Sequence, residues 1–262
     1  MELGIACAFE SGSTASLYDA IQAGAKAAEE LGFSSWWALG DREVATSTSH
    51  DPTLGLYCVA RSSQTMRLGL AGDLLSVRAA AVRAKQLASL DWFSGGRLEL
   101  GLDVGEPPEG LVEDDGPPEN VDSLGVSMDR LAAMEALWTQ RRGRIRNDTV
   151  EFSKVIALPK TVGERPLPVH LRDAAVLPRA LERRGHVEGW LAWRLDEHEL
   201  RSGLRELDDA LGSDATKVRR TWFVDADQVE ASREVALAAG VHELVAVFEH
   251  VPGPGELRKV SA

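Results

Sequence analysis

Eight short strand-like runs, each followed by a helix-like one, occupy this 262-residue chain almost from end to end. Strict alternation leaves few architectures open, because consecutive parallel strands need a crossover and a helix is the usual one. MELGIACAFE sets Leu3, Ile5, Cys7 and Phe9 on one side and Gly4, Ala6, Ala8 and Glu10 on the other, the period of a strand. LYDAIQAGAKAAEELG then carries Leu17, Ile21, Ala25, Ala28 and Leu31 at helical spacing and stops at Gly32. FSSWWALGD, MRLGLAGDLL, RLELGLD, LPVHL, VEGWLAW, VRRTWFVD and ELVAVF repeat the strand pattern. The helices between them are PTLGLYCVARSSQ, the run from Ala79 to Phe93, SMDRLAAMEALW, DAAVLPRALERR, DEHELRSGLRELDDALG and DQVEASREVALAAG. In the second of these, Val82, Gln86, Leu87 and Leu90 are expected on the inner side.

Eight is the number that closes a (β/α)8 TIM barrel. An open doubly wound sheet shows the same alternation, but its G-x-G-x-x-G fingerprint does not follow the first strand. The small residues Gly4, Ala6, Ala8, Gly69 and Ala71 on the inward faces favour closure. Only PGPGELRKVSA follows the last strand, so the covering helix there is expected to be short. No internal repeat or separating linker appears, and one domain over 1–262 is expected. The segment 106–120, EPPEGLVEDDGPPEN, holds six acidic residues, four prolines and two glycines. It reads as an exposed loop at the active-site face, a solvated insertion or a lid. RRGRIRNDTVEFSKVIALPKTVGERP shows no strong period and is expected to wrap the outside of the barrel.

Several functions are excluded or left without support. A net charge of -12 disfavours nucleic acid and anionic membranes as partners. Cys7 and Cys58 are the only cysteines and stand in no CxxC or Cys/His cluster, so neither a disulfide scaffold nor a zinc site is expected. The six histidines show no ligand spacing, and no metal is assigned. MELGIACAF lacks a basic start and a signal-length apolar core, and no run reaches membrane-spanning length, which gives a cytoplasmic expectation. There is no G-x-S-x-G elbow, H-E-x-x-H or P-loop. Ser11, Gly12, Ser13 and Thr14 form a polar loop able to offer hydroxyls and amides to an anion. Of Trp36, Trp37, Trp190, Trp193 and Trp222, one or two inward-facing rings could line a flavin-sized cavity.

The stretch AKQLASLDWFSGGRLELGLDVG is the most informative single run. Gly95 and Gly96 end a helix, Arg97 starts a strand, Leu98, Leu100 and Leu102 face the helices, and Glu99, Gly101 and Asp103 point inward. This run resembles the signature of the bacterial-luciferase-like monooxygenase family. EELGFSSWWALGD, RLGLAGDLLSVR, SMDRLAAMEALW, the LPK segment, GHVEGWL and LAAGVHELV match in the same order along nearly the whole chain. The resemblance implies a barrel that binds FMN or an 8-hydroxy-5-deazaflavin coenzyme at its C-terminal mouth for oxygenation or hydride transfer of a small organic substrate, commonly as a homodimer. The apolar helices around Leu54 to Val59 and Val82 to Leu90 are the expected dimer surface.

Two departures bear on the site that the resemblance implies. Many members carry a histidine after the acidic residue ending the second strand, whereas this chain has Asp41-Arg42, and a guanidinium is a poor acid or base. The family's Gly/Ser-rich phosphate turn after the fifth strand is replaced by Leu171-Arg172-Asp173. Leu171 and Asp173 are expected to obstruct and repel a phosphate, while Arg172 could replace the lost donors. On this reading Asp41, Arg42 and Asp103 are the candidate catalytic residues. Ala71, Gly72, Asp73, Arg172 and Asp173 are the candidate cofactor contacts, and Glu10, Trp193 and Arg194 the candidate substrate contacts. Glu10, Asp41, Asp73 and Asp103 should gather at one mouth, with Arg42, Arg78, Arg172 and Arg194 as counter-charges, either as a binding site for a cation or as separately paired rim carboxylates. The competing reading is a homologue that has lost the cofactor and serves as a binding or assembly protein, or catalyses a flavin-independent reaction.

Overall fold

The computed structural model describes residues 1–10, 16–44, 48–108, 111, 121–184 and 187–261. In chain order its elements are β1 (Glu2–Cys7), α1 (Leu17–Glu30), β2 (Ser35–Ala38), α2 (Asp41–Val44), α3 (Pro52–Ser62), β3 (Arg67–Asp73), α4 (Ala80–Ser94), β4 (Leu98–Leu102) and α5 (Ser123–Thr139). They continue with β5 (Gly143–Arg146), β6 (Glu151–Val155), β7 (Val169–Leu171), α6 (Leu177–Arg184), β8 (Gly189–Trp193), α7 (Glu197–Leu211), β9 (Arg219–Asp225), α8 (Val229–Ala238), β10 (Glu243–Phe248) and α9 (Pro254–Ser261). Eight parallel strands close in the order β1-β2-β3-β4-β7-β8-β9-β10 and back to β1. This is the (β/α)8 barrel expected, and α9 has only 8 residues, the short last helix expected.

Closure follows from the strand patterns. Ile5, Cys7, Trp36, Leu68, Leu70, Leu98, Leu100 and Leu102 lie in the layer between sheet and helices. Ala6, Ala8, Trp37, Leu39, Ala71, Leu191, Phe223, Val245 and Val247 fill the interior. The two phases differ by one residue, as the period of two requires.

The SGGR run is a structural clamp. Gly95 ends α4 with φ 72°, a left-handed conformation that a side chain disfavours, and the Gly96 N–H returns to the Asp91 carbonyl at 2.8 Å. Arg97 then donates to the carbonyls of Ser94, Met66, Ala60 and Ser63, tying the end of α3 to the start of β4.

Four local expectations need correction. Val82 is 59% exposed and Gln86 is also exposed, whereas Leu87 and Leu90 are buried as expected, joined by Arg83, Ala84, Ala88 and Asp91. The physical reason is a buried Arg83 bonded to Asp73, which brings a polar residue into the buried stripe. The segment after α5 is not featureless: β5 and β6 pair as an antiparallel hairpin. The helix expected from Asp173 begins only at Leu177, because Asp173 makes a turn with Ala175. Finally, Leu171 is buried in the helical layer, so it does not obstruct the mouth. The loop Ser11–Thr14 and most of 106–120 lie outside the described residues.

Candidate active site at the barrel mouth

The C-terminal strand ends bring Glu10, Asp41, Asp73 and Asp103 to one end of the barrel. They do not form one shared pocket of carboxylates: Asp41 and Asp73 are bridged by Arg78, whereas Asp103 pairs with Arg42. Asp41 accepts from Arg78 and from the Leu74 N–H. Burial raises its pKa, but these donors outweigh it and the carboxyl ends below its usual range. Asp73 is buried and bridges Arg78 at 2.9 Å and Arg83 at 2.7 Å. It thereby faces the α3 and α4 side, where Arg83 also reaches Thr53. Glu10 is half-buried, and its carbonyl accepts the Val251 N–H.

The remaining charges surround the opening. Asp103 accepts from Arg42 Nε at 2.8 Å and from the Gly105 N–H at 2.9 Å. Burial raises its pKa, and the Arg42, Gly105 and Arg172 contacts together bring it below the usual range. The same bond keeps Arg42 protonated by raising its own pKa. Arg172 makes a bidentate pair with Glu43 at 2.7 and 2.9 Å and donates Nε to the Ala71 carbonyl. Its guanidinium carbon lies 3.9 Å from the centroid of the Trp193 ring, a cation–π contact. Trp193 in turn packs on Phe223 at 5.0 Å between centroids.

Gly72 explains how Arg172 fits. The β3–β4 register shifts between Ala71 and Asp73, and a Cβ built on Gly72 would lie 2.6 Å from the guanidinium carbon. Only glycine admits that approach. The guanidinium therefore lies between the Gly72 backbone and the Trp193 face.

Beside it opens a groove of about 530 Å³, bounded by Arg42, Glu43, Asp103, Arg172, Trp193 and, from α7, Glu206. Asp173, Ala174, Trp190, Leu195 and Glu199 complete much of its wall. Of the candidate residues, Arg42, Asp103, Arg172, Asp173 and Trp193 are thus brought together. Asp41 and Asp73 are held in ion pairs behind them, Ala71 contributes its carbonyl, and Arg194 pairs with Asp225. Glu43, Glu199 and Glu206 were not singled out from the sequence. Glu43 sits two residues after Asp41 in the short helix α2 at the end of β2, a position that could have drawn attention to it. Trp37 is inside the barrel as well, edge-on to His170 and Phe223, but it lies in the packed interior.

A closed parallel barrel with a polar, aromatic-walled groove at its C-terminal mouth is the arrangement of a small-molecule enzyme site. Residues 1–257 match the profile of the luciferase-like monooxygenases, and the chain belongs to that family. An uncharacterized Mycobacterium tuberculosis protein, Rv0953c, is 31% identical over 112 residues, which cover 43% of this chain and 39% of that relative's length. A type II Baeyer–Villiger monooxygenase of Pseudomonas putida, solved in complex with FMN, is similar with a TM-score of 0.76 at 12% identity, over 100% of this chain and 96% of that one. The coenzyme F420 dependent tetrahydromethanopterin reductase of Methanopyrus kandleri gives a TM-score of 0.73 at 13% identity, over 99% and 97%. At such identities these two structures speak for the fold.

Proposed function

We propose that this chain is an oxidoreductase acting on a small organic molecule with a flavin or deazaflavin ring, FMN or an 8-hydroxy-5-deazaflavin coenzyme, held in the groove beside Trp193. The observation that carries this reading is the groove itself, large enough for a tricyclic ring and walled by aromatic residues at the mouth of a barrel of this family. The ring part of the cofactor fits that lining. Its phosphate does not fit the turn after β7, where Asp173 accepts the Ala175 N–H and Arg172 is already paired. When bound, the cofactor would supply two-electron redox chemistry.

What the chain's own residues do is electrostatic. Arg42, half-exposed beside the groove, orients an electron-rich group of the substrate rather than exchanging a proton with it, while Arg172 is spent on Glu43 and the Ala71 carbonyl. Asp103 stays ionised and holds Arg42 over the groove. Trp193, which carries the Arg172 guanidinium over its ring, supplies aromatic surface to the groove wall. A single domain over 1–262, a cytoplasmic location and a homodimer through α3 and α4 belong to the same reading. The exposed Leu54, Val82 and Phe93 on those two helices support the dimer, and light scattering at micromolar concentration checks it against the 28.3 kDa monomer.

A second reading, a cofactor-free homologue that binds a small molecule or catalyses without flavin, is favoured by the saturation of Arg172. Visible absorbance of the purified protein, followed by titration of FMN and the deazaflavin into wild type and Trp193→Ala, separates the two. Binding that weakens by about tenfold or more in Trp193→Ala supports the first reading, from the size of stacking contacts. Absence of binding by either cofactor supports the second.

A further inference from the structure

We infer that the mouth selects against phosphate, with Asp173 and the Glu43–Arg172 pair as the specificity determinants, so that it prefers a flavin without a phosphate to the same flavin with one. This inference rests on the proposed flavin-type reading and deepens it. Three observations lead to it.

The first is the state of Arg172, the residue best placed to meet a phosphate. Both terminal nitrogens are held by Glu43 at 2.7 and 2.9 Å, Nε is held by the Ala71 carbonyl, and the side chain is only 9% exposed. Turning it to a phosphate would break a bidentate pair and leave the Glu43 carboxylate facing the new anion.

The second is the turn itself. Phosphate sites at helix starts use free backbone N–H groups. Here the Ala175 N–H goes to Asp173 Oδ1 at 2.9 Å, the Leu177 N–H goes to the Ala174 carbonyl at 3.2 Å, and Pro178 has none to give. Asp173 thus both consumes a donor and places a negative charge at the turn.

The third is the balance of the groove wall. Glu43, Asp103, Asp173, Glu199 and Glu206 supply five carboxylates against the guanidiniums of Arg42 and Arg172. Like charges brought together at a binding surface discriminate strongly, and an uncharged aromatic ligand escapes that cost.

Riboflavin and FMN share one ring and differ by the phosphate, so their affinity ratio isolates the effect. We would titrate both into wild type, Asp173→Ser, Glu43→Gln and Glu43→Gln/Arg172→Ala, following flavin fluorescence at low ionic strength. Asp173→Ser keeps an acceptor for the Ala175 N–H while removing the charge. In wild type riboflavin should bind about tenfold or more tighter than FMN. Asp173→Ser and Glu43→Gln should each move the ratio towards FMN, and the added Arg172→Ala should cancel the gain from Glu43→Gln, because the freed guanidinium is what the phosphate meets. FMN binding tighter than riboflavin in wild type, or a ratio unchanged by both single variants, overturns the inference and leaves the flavin reading standing. Failure of both flavins to bind any of the four proteins overturns this inference and the FMN form of the reading, leaving the deazaflavin form to its own titration.

Discussion

At the N-terminal end of the barrel Glu243 is fully buried and accepts from Ser34, Ser35, Arg67 and Arg219. At the C-terminal end Asp103 and Glu43 also meet arginines, but beside an open groove. Both ends are carboxylate–guanidinium networks contributed by several strands. The bottom keeps its inner carboxylates, Glu99 and Glu243, from water beneath a half-exposed Glu2: Arg67 joins all three, and His170 Nε2 lies 3.1 Å from Glu99 at ion-pair distance. The top leaves Arg42 39% exposed and surrounds it with further carboxylates on α2 and α7. The difference teaches that the same residue pairing acts as a structural plug where water is excluded and as a recognition surface where a cavity adjoins it.

If that contrast holds, the largest effect should come from the bottom. Glu243→Ala leaves two arginines and two hydroxyls without their shared acceptor, and it should cost about 3–5 kcal/mol in urea unfolding, the range for breaking a buried pair. A loss under about 1 kcal/mol would show that the plug is not structural. Glu99 provides the next test. Burial raises its pKa, but His170 and Arg67 outweigh this and bring it from 4.5 to about 2. A carboxyl with a depressed folded-state pKa stabilises above its unfolded value and loses that contribution as pH falls. The wild type should therefore lose about 3 kcal/mol between pH 4.5 and 2 through this group, and Glu99→Gln should flatten that limb in acid denaturation followed by circular dichroism. An unchanged acid limb would separate Glu99 from the plug.

The sequence made the strands of the barrel and the return from α4 to β4 far more legible than the pairing at either end. Strand phases were readable because the inward Ala6, Ala8 and Ala71 and the outward Leu98, Leu100 and Leu102 alternate cleanly. Gly95 and Gly96 announced the return from α4 to β4, and the structure shows why Arg97 follows them: its carbonyl contacts close the bottom around α3. The family's most recognisable run is thus a structural device in this chain. The phase of α4 was misread because its buried face includes Arg83 and Asp91, polar residues that a search for apolar stripes discards. The β5–β6 hairpin had its signal in the alternation about Asn147-Asp148, too short to stand out. Glu43 was missed because α2 spans four residues and has no period to read. Gathering strand-end carboxylates at one mouth followed from topology. Which arginine each would take depended on loop geometry, which periodicity does not encode.

The smallest effect on stability should come from the mouth, with Arg42→Ala. Its pair with Asp103 has good geometry, 2.8 Å at Nε and 3.3 Å at Nη2, so a count of bonds alone would rank it beside the Glu243 network. Exposure decides otherwise. Water already solvates much of the guanidinium, and Asp103 keeps the Gly105 N–H and Arg172 at 3.7 Å when Arg42 is gone. The stability change should therefore stay below about 1 kcal/mol. The Asp103 carboxyl should nevertheless titrate higher than in wild type, because Arg42 is the largest of the contacts that lower it. Urea unfolding and a carboxyl-resolved NMR titration measure the two quantities on one protein. A loss above about 3 kcal/mol would place Arg42 with the buried pairs of the bottom and erase the distinction between the two ends. An unmoved Asp103 titration, with stability intact, would instead show that Arg42 does not govern the charge of the groove.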